Sequence, residues 1–178
     1  LAALPIVNRV LARWNVLPAL EAEKEISPCC GSSAWSHGVV ARRPFRNAEA
    51  LLAASDETWR GLSEEDWLEA FRAHPRIGES KAQKPVQARS AAWSAQEQSG
   101  LANEMDAEAI KAALAEGNRE YESRFGGIFI VCATGKSGAE MLEILRRRLH
   151  NDAATELREA AEQQRQIARL RLERWMAG

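Results

Sequence analysis

Apolar residues recur at helical spacing along nearly the whole chain. Leu4, Val7, Leu11 and Trp14 share one stripe of a first helix. The stretch from Ser27 to Ser36 is rich in Gly, Ser and Pro and reads as a loop. Asn47 is placed to cap a helix carrying Leu51 and Leu52. Ser63 is placed to cap the next, whose first turn holds Glu64, Glu65 and Asp66. That helix carries Trp67 and Phe71 and is expected to run to His74, because Pro75 disfavours helical backbone in the residue before it. Gly78 to Arg89 reads as a polar connection long enough to act as a flap.

A further helix is expected from about Ser94 to Asn103. The clearest periodicity follows, with Ile110, Leu114, Gly117, Asn118, Tyr121 and Phe125 at helical spacing and Gly126-Gly127 as the stop. Residues Ile128 to Ala133 form the one β-like run. It has no partner of similar character, so it reads as a buried extended segment between helices. Ser137-Gly138-Ala139-Glu140 is a capping-box pattern opening a helix with Met141, Leu145 and Leu149. A long last helix is expected from about Asp152 to Trp175. The pattern therefore predicts an all-α fold, one helical-bundle domain over residues 1–178 with a short extended segment near 128–133.

Composition narrows the function classes. The 178 residues are 46% hydrophobic and 28% charged, an ordinary balance for a chain that buries one core. A net charge of −1 offers no field to attract nucleic acid or an anionic membrane. No apolar run reaches the length of a membrane span. Cys29 and Cys30 are adjacent and Cys132 lies in an apolar run, which points to reduced thiols. With no signal or transit pattern, a start at Leu1 that looks trimmed, and an end at Trp175-Met176-Ala177-Gly178 that is no peroxisomal tripeptide, a bacterial-type cytoplasmic protein is expected.

Chemistry concentrates in two short motifs. His74-Pro75-Arg76-Ile77-Gly78 supplies an imidazole, and Ser94-Ala95-Gln96-Glu97-Gln98 a carboxylate and an amide. A carboxylate that holds a His in one tautomer is a recurring catalytic arrangement. At a helix C-terminus the macrodipole would favour protonated His74, which suits a proton donor. Each motif also has a plain structural reading: His-Pro stops helices, and Ser94-x-x-Glu97 fits a capping box.

Other motifs carry less. Gly135-Lys136-Ser137 looks like the end of a phosphate loop, but that loop needs a Gly where Ile130 stands. His37, His74 and His150 are scattered without metal-ligand spacing. Arg146-Arg147-Arg148 reads as a solvated helix end, where cations suit the dipole. Arg171 shares its face with Ile167 and Trp175. It fits a stem packed along the core, an ion pair or a binding role equally well.

Taken in order, a longer set of landmarks resembles the 2-oxo-4-hydroxy-4-carboxy-5-ureidoimidazoline (OHCU) decarboxylases. They are Cys29-Cys30-Gly31-Ser32 with Trp35, Arg43-Pro44-Phe45, the two motifs above, and Asn118-x-x-Tyr121-x-x-x-Phe125-Gly126. Cys132-Ala133, Arg148-Leu149-x-Asn151 and Ile167-Ala168-x-Leu170-Arg171-Leu172 complete the set, which covers roughly residues 8 to 175. The resemblance implies cofactor-independent decarboxylation of OHCU to (S)-allantoin and CO2 in urate degradation, with no metal. It implies His74 as proton donor with Glu97 as its partner. Substrate contacts are implied at Pro75, Ser94, Gln98, Phe129, Ile130, Val131, Cys132, Ala133 and Arg171. It further implies a small-molecule substrate, no nucleic-acid or membrane partner, and a homodimer. A catalytically silent helical adaptor and a metal-dependent amidohydrolase are the competing classes. The intact polar landmarks argue against the first and the scattered His pattern against the second.

Overall fold

The computed structural model of the chain describes residues 8–79, 87–102 and 106–178. Among these residues the regular structure is helical: α1 (Arg9–Asn15), α2 (Ala19–Ile26), α3 (Ser33–Val40), α4 (Ala48–Arg60), α5 (Glu64–Phe71), α6 (Ala88–Glu97), α7 (Ala107–Phe125), α8 (Gly138–Arg148) and α9 (Ala153–Ala177). A 3₁₀ turn, Ser99–Ala102, follows α6. The all-α fold expected from periodicity is the fold observed, and no helix among the described residues is long and apolar enough to cross a membrane.

Helix starts follow side-chain chemistry. The Asn47 side chain accepts from the Ala50 N–H at the start of α4. Ser63 forms a reciprocal capping box with Asp66, and Ser137 another with Glu140. Asp152 caps α9 by accepting from Thr155. Each satisfies amide donors that a helix start leaves without partners. At the other end of α7, Gly126 adopts φ 76°, a left-handed cap open to glycine without strain.

Four boundaries differ from the sequence reading. The supposed loop from Ser27 to Ser36 gives way at Ser33 to α3, because the Ser32 hydroxyl caps it by accepting from Trp35 N–H. Helix α2 was not expected at all. Helix α5 ends at Phe71, three residues before His74. Helix α6 starts at Ala88, so Ser94 lies inside it and no capping box forms with Glu97. Ala88 and Arg89 belong to that helix rather than to a flap. Residues 80–86 of the proposed flap, Leu4, Val7 and Asn103 lie outside the described residues.

Two apolar clusters make the core. One gathers Trp14, Trp35, Leu51, Trp59, Ala161, Leu172 and Trp175 from α1, α3, α4 and α9. The other gathers Leu114, Tyr121, Met141 and Leu145 from α7 and α8. Gly117 permits that helix pair to close, since a Cβ there would meet Leu145 Cδ2 at 2.6 Å. The extended segment 128–133 divides the clusters. Side chains of a strand alternate sides, and here Ile128, Ile130 and Cys132 enter the first cluster while Phe129, Val131 and Ala133 enter the second.

A buried charge network fixes this segment. Arg148, with 0% exposure, donates from Nε and Nη2 to Glu156 Oε1 at 2.9 and 2.5 Å, and from Nη1 to the Ile130 carbonyl at 2.6 Å. Its guanidinium also sits 4.7 Å from the Phe129 ring centroid. Tyr121 and Asn151 donate to the same Glu156 carboxylate. The reading of the Arg146-Arg147-Arg148 run as a solvated end is therefore corrected at Arg148. Its position on α8 turns it inward, and a buried carboxylate meets it there.

Candidate active site

At the seam between the two clusters lies a small, partly open pocket with a cavity volume of about 20 Å³. The connector after α5 contributes His74, Pro75 and Ile77, and α6 contributes Ser94, Glu97 and Gln98. The extended segment adds Phe129, Ile130, Val131 and Ala133, and α9 adds Ile167. The spacing of Ser94, Glu97 and Gln98 at i, i+3 and i+4 puts all three on one face of α6. Residues from four places in the chain thus meet, including both motifs singled out from sequence.

His74 is 8% exposed, and its backbone N–H donates to the Phe71 carbonyl at 3.0 Å. Burial pushes its pKa down to about 3, the Arg171 charge pushes in the same direction, and the neighbouring Gln164 amide opposes them. The imidazole is neutral at physiological pH. This overturns the protonated His expected from a helix end. The shift from 6.5 to about 3 corresponds to roughly 5 kcal/mol, whereas a helix terminus contributes at most about 2 kcal/mol. The helix also stops short of the imidazole.

Glu97 is held by a bidentate ion pair. Arg171 donates from Nε to Oε1 and from Nη2 to Oε2, both at 2.8 Å. The side chains are 9% and 2% exposed. Arg171 further donates from Nη2 to Ser94 Oγ at 2.9 Å, and from Nη1 to Ser90 Oγ and the Pro28 carbonyl, each at 3.2 Å. These bonds use all five N–H groups of a guanidinium. Arg171 is not among the residues lining the pocket; it stands behind Glu97 and Ser94 and fixes both.

The remaining polar groups are oriented by their bonds. Gln98 Oε1 accepts from the Gly78 N–H at 2.8 Å, so the amide NH2 is what Gln98 offers a ligand. Ser94 Oγ accepts from Arg171 and keeps its own O–H to donate. Along the extended segment, the Ile130 carbonyl is taken by Arg148, the Cys132 N–H by Gln163 and the Cys132 carbonyl by Lys136. Backbone groups of a strand alternate in direction. Those of Phe129 and Val131 therefore point to the opposite edge.

Of the residues expected in the site, His74, Pro75, Ser94, Glu97, Gln98, Phe129, Ile130, Val131 and Ala133 line the pocket. Arg171 and Cys132 do not. Cys132 packs in the first cluster, and burial pushes its thiol pKa up, as it does for Cys29. The sequence reading missed Ile77 and Ile167 as wall residues, Arg148 as the clamp on Ile130, and Gln164 behind His74. Gln164 carried a usable signal: it lies seven residues before Arg171, on the face of α9 that also buries Ala160, Ile167 and Ala168. Among the described residues, no group of three His, Cys, Asp or Glu side chains is arranged to hold a metal ion.

Comparisons with known proteins identify the family. The family model described as OHCU decarboxylase matches residues 15–173. The Arabidopsis thaliana uric acid degradation bifunctional protein TTL is 39% identical over 84% of this chain, which spans 46% of that protein's own length. The 2-oxo-4-hydroxy-4-carboxy-5-ureidoimidazoline decarboxylase of Amia calva is 30% identical over 84% of this chain and 81% of its own. The crystal structure of an OHCU decarboxylase in the presence of (S)-allantoin matches with a TM-score of 0.74 at 33% identity. That match covers 86% of this chain and 98% of the other. The chain belongs to the OHCU decarboxylase family.

Proposed function

We propose that this chain decarboxylates OHCU to (S)-allantoin and CO2 in urate degradation, without a cofactor. The observation that carries the reading is a neutral, buried His74 facing the same pocket as Ser94, Glu97 and Gln98, in a chain of this family. The substrate is a small polar ring with a carboxylate and a hydroxyl on one carbon, next to an imine. The imine supplies the electron sink that a cofactor would otherwise provide. The protein's part is binding, orientation and proton movement.

At a pKa of about 3, roughly one free molecule in 10⁴ carries a protonated His74 at neutral pH, so His74 begins as a base. The bond to the carboxylate breaks and its electron pair forms a C=C bond with the imine carbon. The imine pair moves to nitrogen, which takes a proton from solvent, and CO2 leaves. His74 then takes the hydroxyl proton as the C=O forms, and returns it to the former imine carbon. One carboxylate and one proton are thereby converted to CO2 and allantoin. Delivery from one face makes one hand of the product.

Ser94 and Gln98 serve the amide edges of the ring. The Pro75 carbonyl and the backbone groups of Phe129 and Val131, on the edge opposite the bonds made by Ile130 and Cys132, offer further acceptors and donors. Glu97 keeps substrate and imidazole in register. Arg171 acts through Glu97 and Ser94 in the free protein, and a direct contact with substrate requires it to surrender one of its bonds. Buried thiols at Cys29 and Cys132 support a reducing, cytoplasmic setting. The family resemblance supports a homodimer, and the sequence reading a bacterial type.

The test is to mix chelator-dialysed protein with freshly generated urate-oxidation intermediate and follow the optical rotation of the allantoin formed. Rapid appearance of one enantiomer is expected. A racemate formed at the spontaneous rate overturns the proposal, and activity restored only by added divalent metal overturns its cofactor-free part.

A further inference from the structure

Gln164 lies on α9, one turn before the pocket-lining Ile167 and two turns before Arg171. Its side chain is fully buried, and neither its amide oxygen nor its nitrogen has a hydrogen-bond partner among the described residues. A buried amide without partners is costly and uncommon in folded proteins. The group beside it is the His74 imidazole, whose affinity for protons the amide raises without reaching ideal hydrogen-bond geometry. Nothing in the packing of α9 calls for an amide here. Leu or Met would fill the volume without stranding polar atoms.

We propose that Gln164 is a positioning residue for His74: its amide oxygen takes the ring N–H on the buried side, which fixes the tautomer that turns a lone pair into the pocket. A neutral imidazole has one donor nitrogen and one acceptor nitrogen, and the partner of one decides the state of the other. The same oxygen then stabilises the imidazolium formed when the lone pair takes the substrate's hydroxyl proton, a second step that rests on the decarboxylase reading. An amide does this without charge. A carboxylate in its place would hold His74 protonated at rest and leave no lone pair for the substrate.

The other charged groups around His74 are few. Arg171 on α9 lowers its proton affinity, and Glu97 lines the same pocket from α6, where Arg171 and, at 3.5 Å, Arg174 pair with it. The connector brings Arg76, which is paired with Glu122 and Glu79. The Gln164 amide is thus the near group whose replacement alters His74 without breaking an ion pair.

Long-range ¹H–¹⁵N spectra of ¹⁵N-labelled protein read the tautomer and charge of His74 directly, with its signals assigned by their loss in His74→Asn. The wild type is expected to show one neutral tautomer from pH 5 to 8. Gln164→Leu is expected to show mixed tautomers, with kcat reduced about tenfold or more and KM within about twofold, within the usual scale of lost proton-transfer efficiency. Gln164→Glu is expected to show a charged His74 at pH 7 and an acid limb of the kcat profile moved upward by more than one pH unit. Wild-type tautomer and kcat in Gln164→Leu overturn the proposal. If that variant does not fold, a neutral His74 with unchanged tautomer in Gln164→Glu overturns it instead. The spectra need no substrate. A protein that shows the predicted tautomer yet forms no allantoin therefore defeats the decarboxylase reading and leaves the positioning of His74 standing.

Discussion

Replacing Glu97 by Gln separates two accounts of the same residue. If Glu97 were the third residue of a capping box opened by Ser94, Gln would serve nearly as well and stability would hardly change. In the structure Ser94 sits well inside α6, and Glu97 pairs bidentately with an Arg171 that is itself 2% exposed. Neutralising Glu97 leaves that guanidinium buried without its counter-charge. Breaking one side of a buried pair costs about 3–5 kcal/mol, and because Gln retains one acceptor oxygen the lower end, about 3 kcal/mol, applies. In a chain of this length each kcal/mol moves Tm by about 2–4 °C, so Glu97→Gln should melt about 6–12 °C below the wild type.

Thermal unfolding followed by circular dichroism at neutral pH reads the effect, with urea unfolding as an independent measure of free energy. A double-mutant cycle adds a second check. Glu97→Gln and Arg171→Met each strand the other's polar partner, so the double variant should cost at least about 1–2 kcal/mol less than the two singles added together. A Glu97→Gln protein melting within about 2 °C of the wild type would refute the ion-pair reasoning, as would simple additivity in the cycle.

Two further outcomes follow from buried charge. His74 is held near 3 in the fold against 6.5 in the unfolded chain, so the unfolded state binds the proton first. The stability this confers is complete above about pH 6.5 and is lost as pH falls toward 3. Urea unfolding at pH 7.5 and pH 5 should show the wild type losing about 2 kcal/mol more than His74→Gln, and equal losses would show that another group carries the acid sensitivity. Arg148→Lys keeps the charge but cannot reach both Glu156 and the Ile130 carbonyl as a planar fork does. It should lose about 2–3 kcal/mol and raise KM by loosening the segment that lines the pocket, and a wild-type KM would show that the clamp on Ile130 is dispensable.

Local signals were legible and long-range ones were not. Asn47, Ser63, Ser137 and Gly126 could be read from the chain because a cap is settled within four residues, and each does what its position implied. Ser94-x-x-Glu97 has the same spelling as a cap, but its meaning is set by Arg171, which lies 74 positions from Glu97. Arg148 looked like its two neighbours until Glu156 supplied a buried partner. Helix α2 buries only Ala22 and Ile26, too short a stripe to register as periodic, and α3 was hidden by the Gly, Ser and Pro around its cap. Motif membership alone did not mark the pocket walls: Ile77 and Ile167 stand inside two of the motifs without being read as walls, and Gln164 lies in none. They become visible only once the connector, α6 and α9 meet in the fold.

On the proposed reaction, these same charges give the proton transfer a direction. At rest Arg171 and Glu97 cancel each other and His74 is neutral, so the pocket holds a weak base with little competing charge. When His74 takes the hydroxyl proton after CO2 has left, burial together with the Arg171 charge disfavours the imidazolium, and the proton is driven on to the nucleophilic carbon. A permanently protonated histidine would have no lone pair for that proton. The depressed proton affinity of His74 thus serves the second half of the cycle, returning the proton to carbon, as much as it sets the resting state for the first.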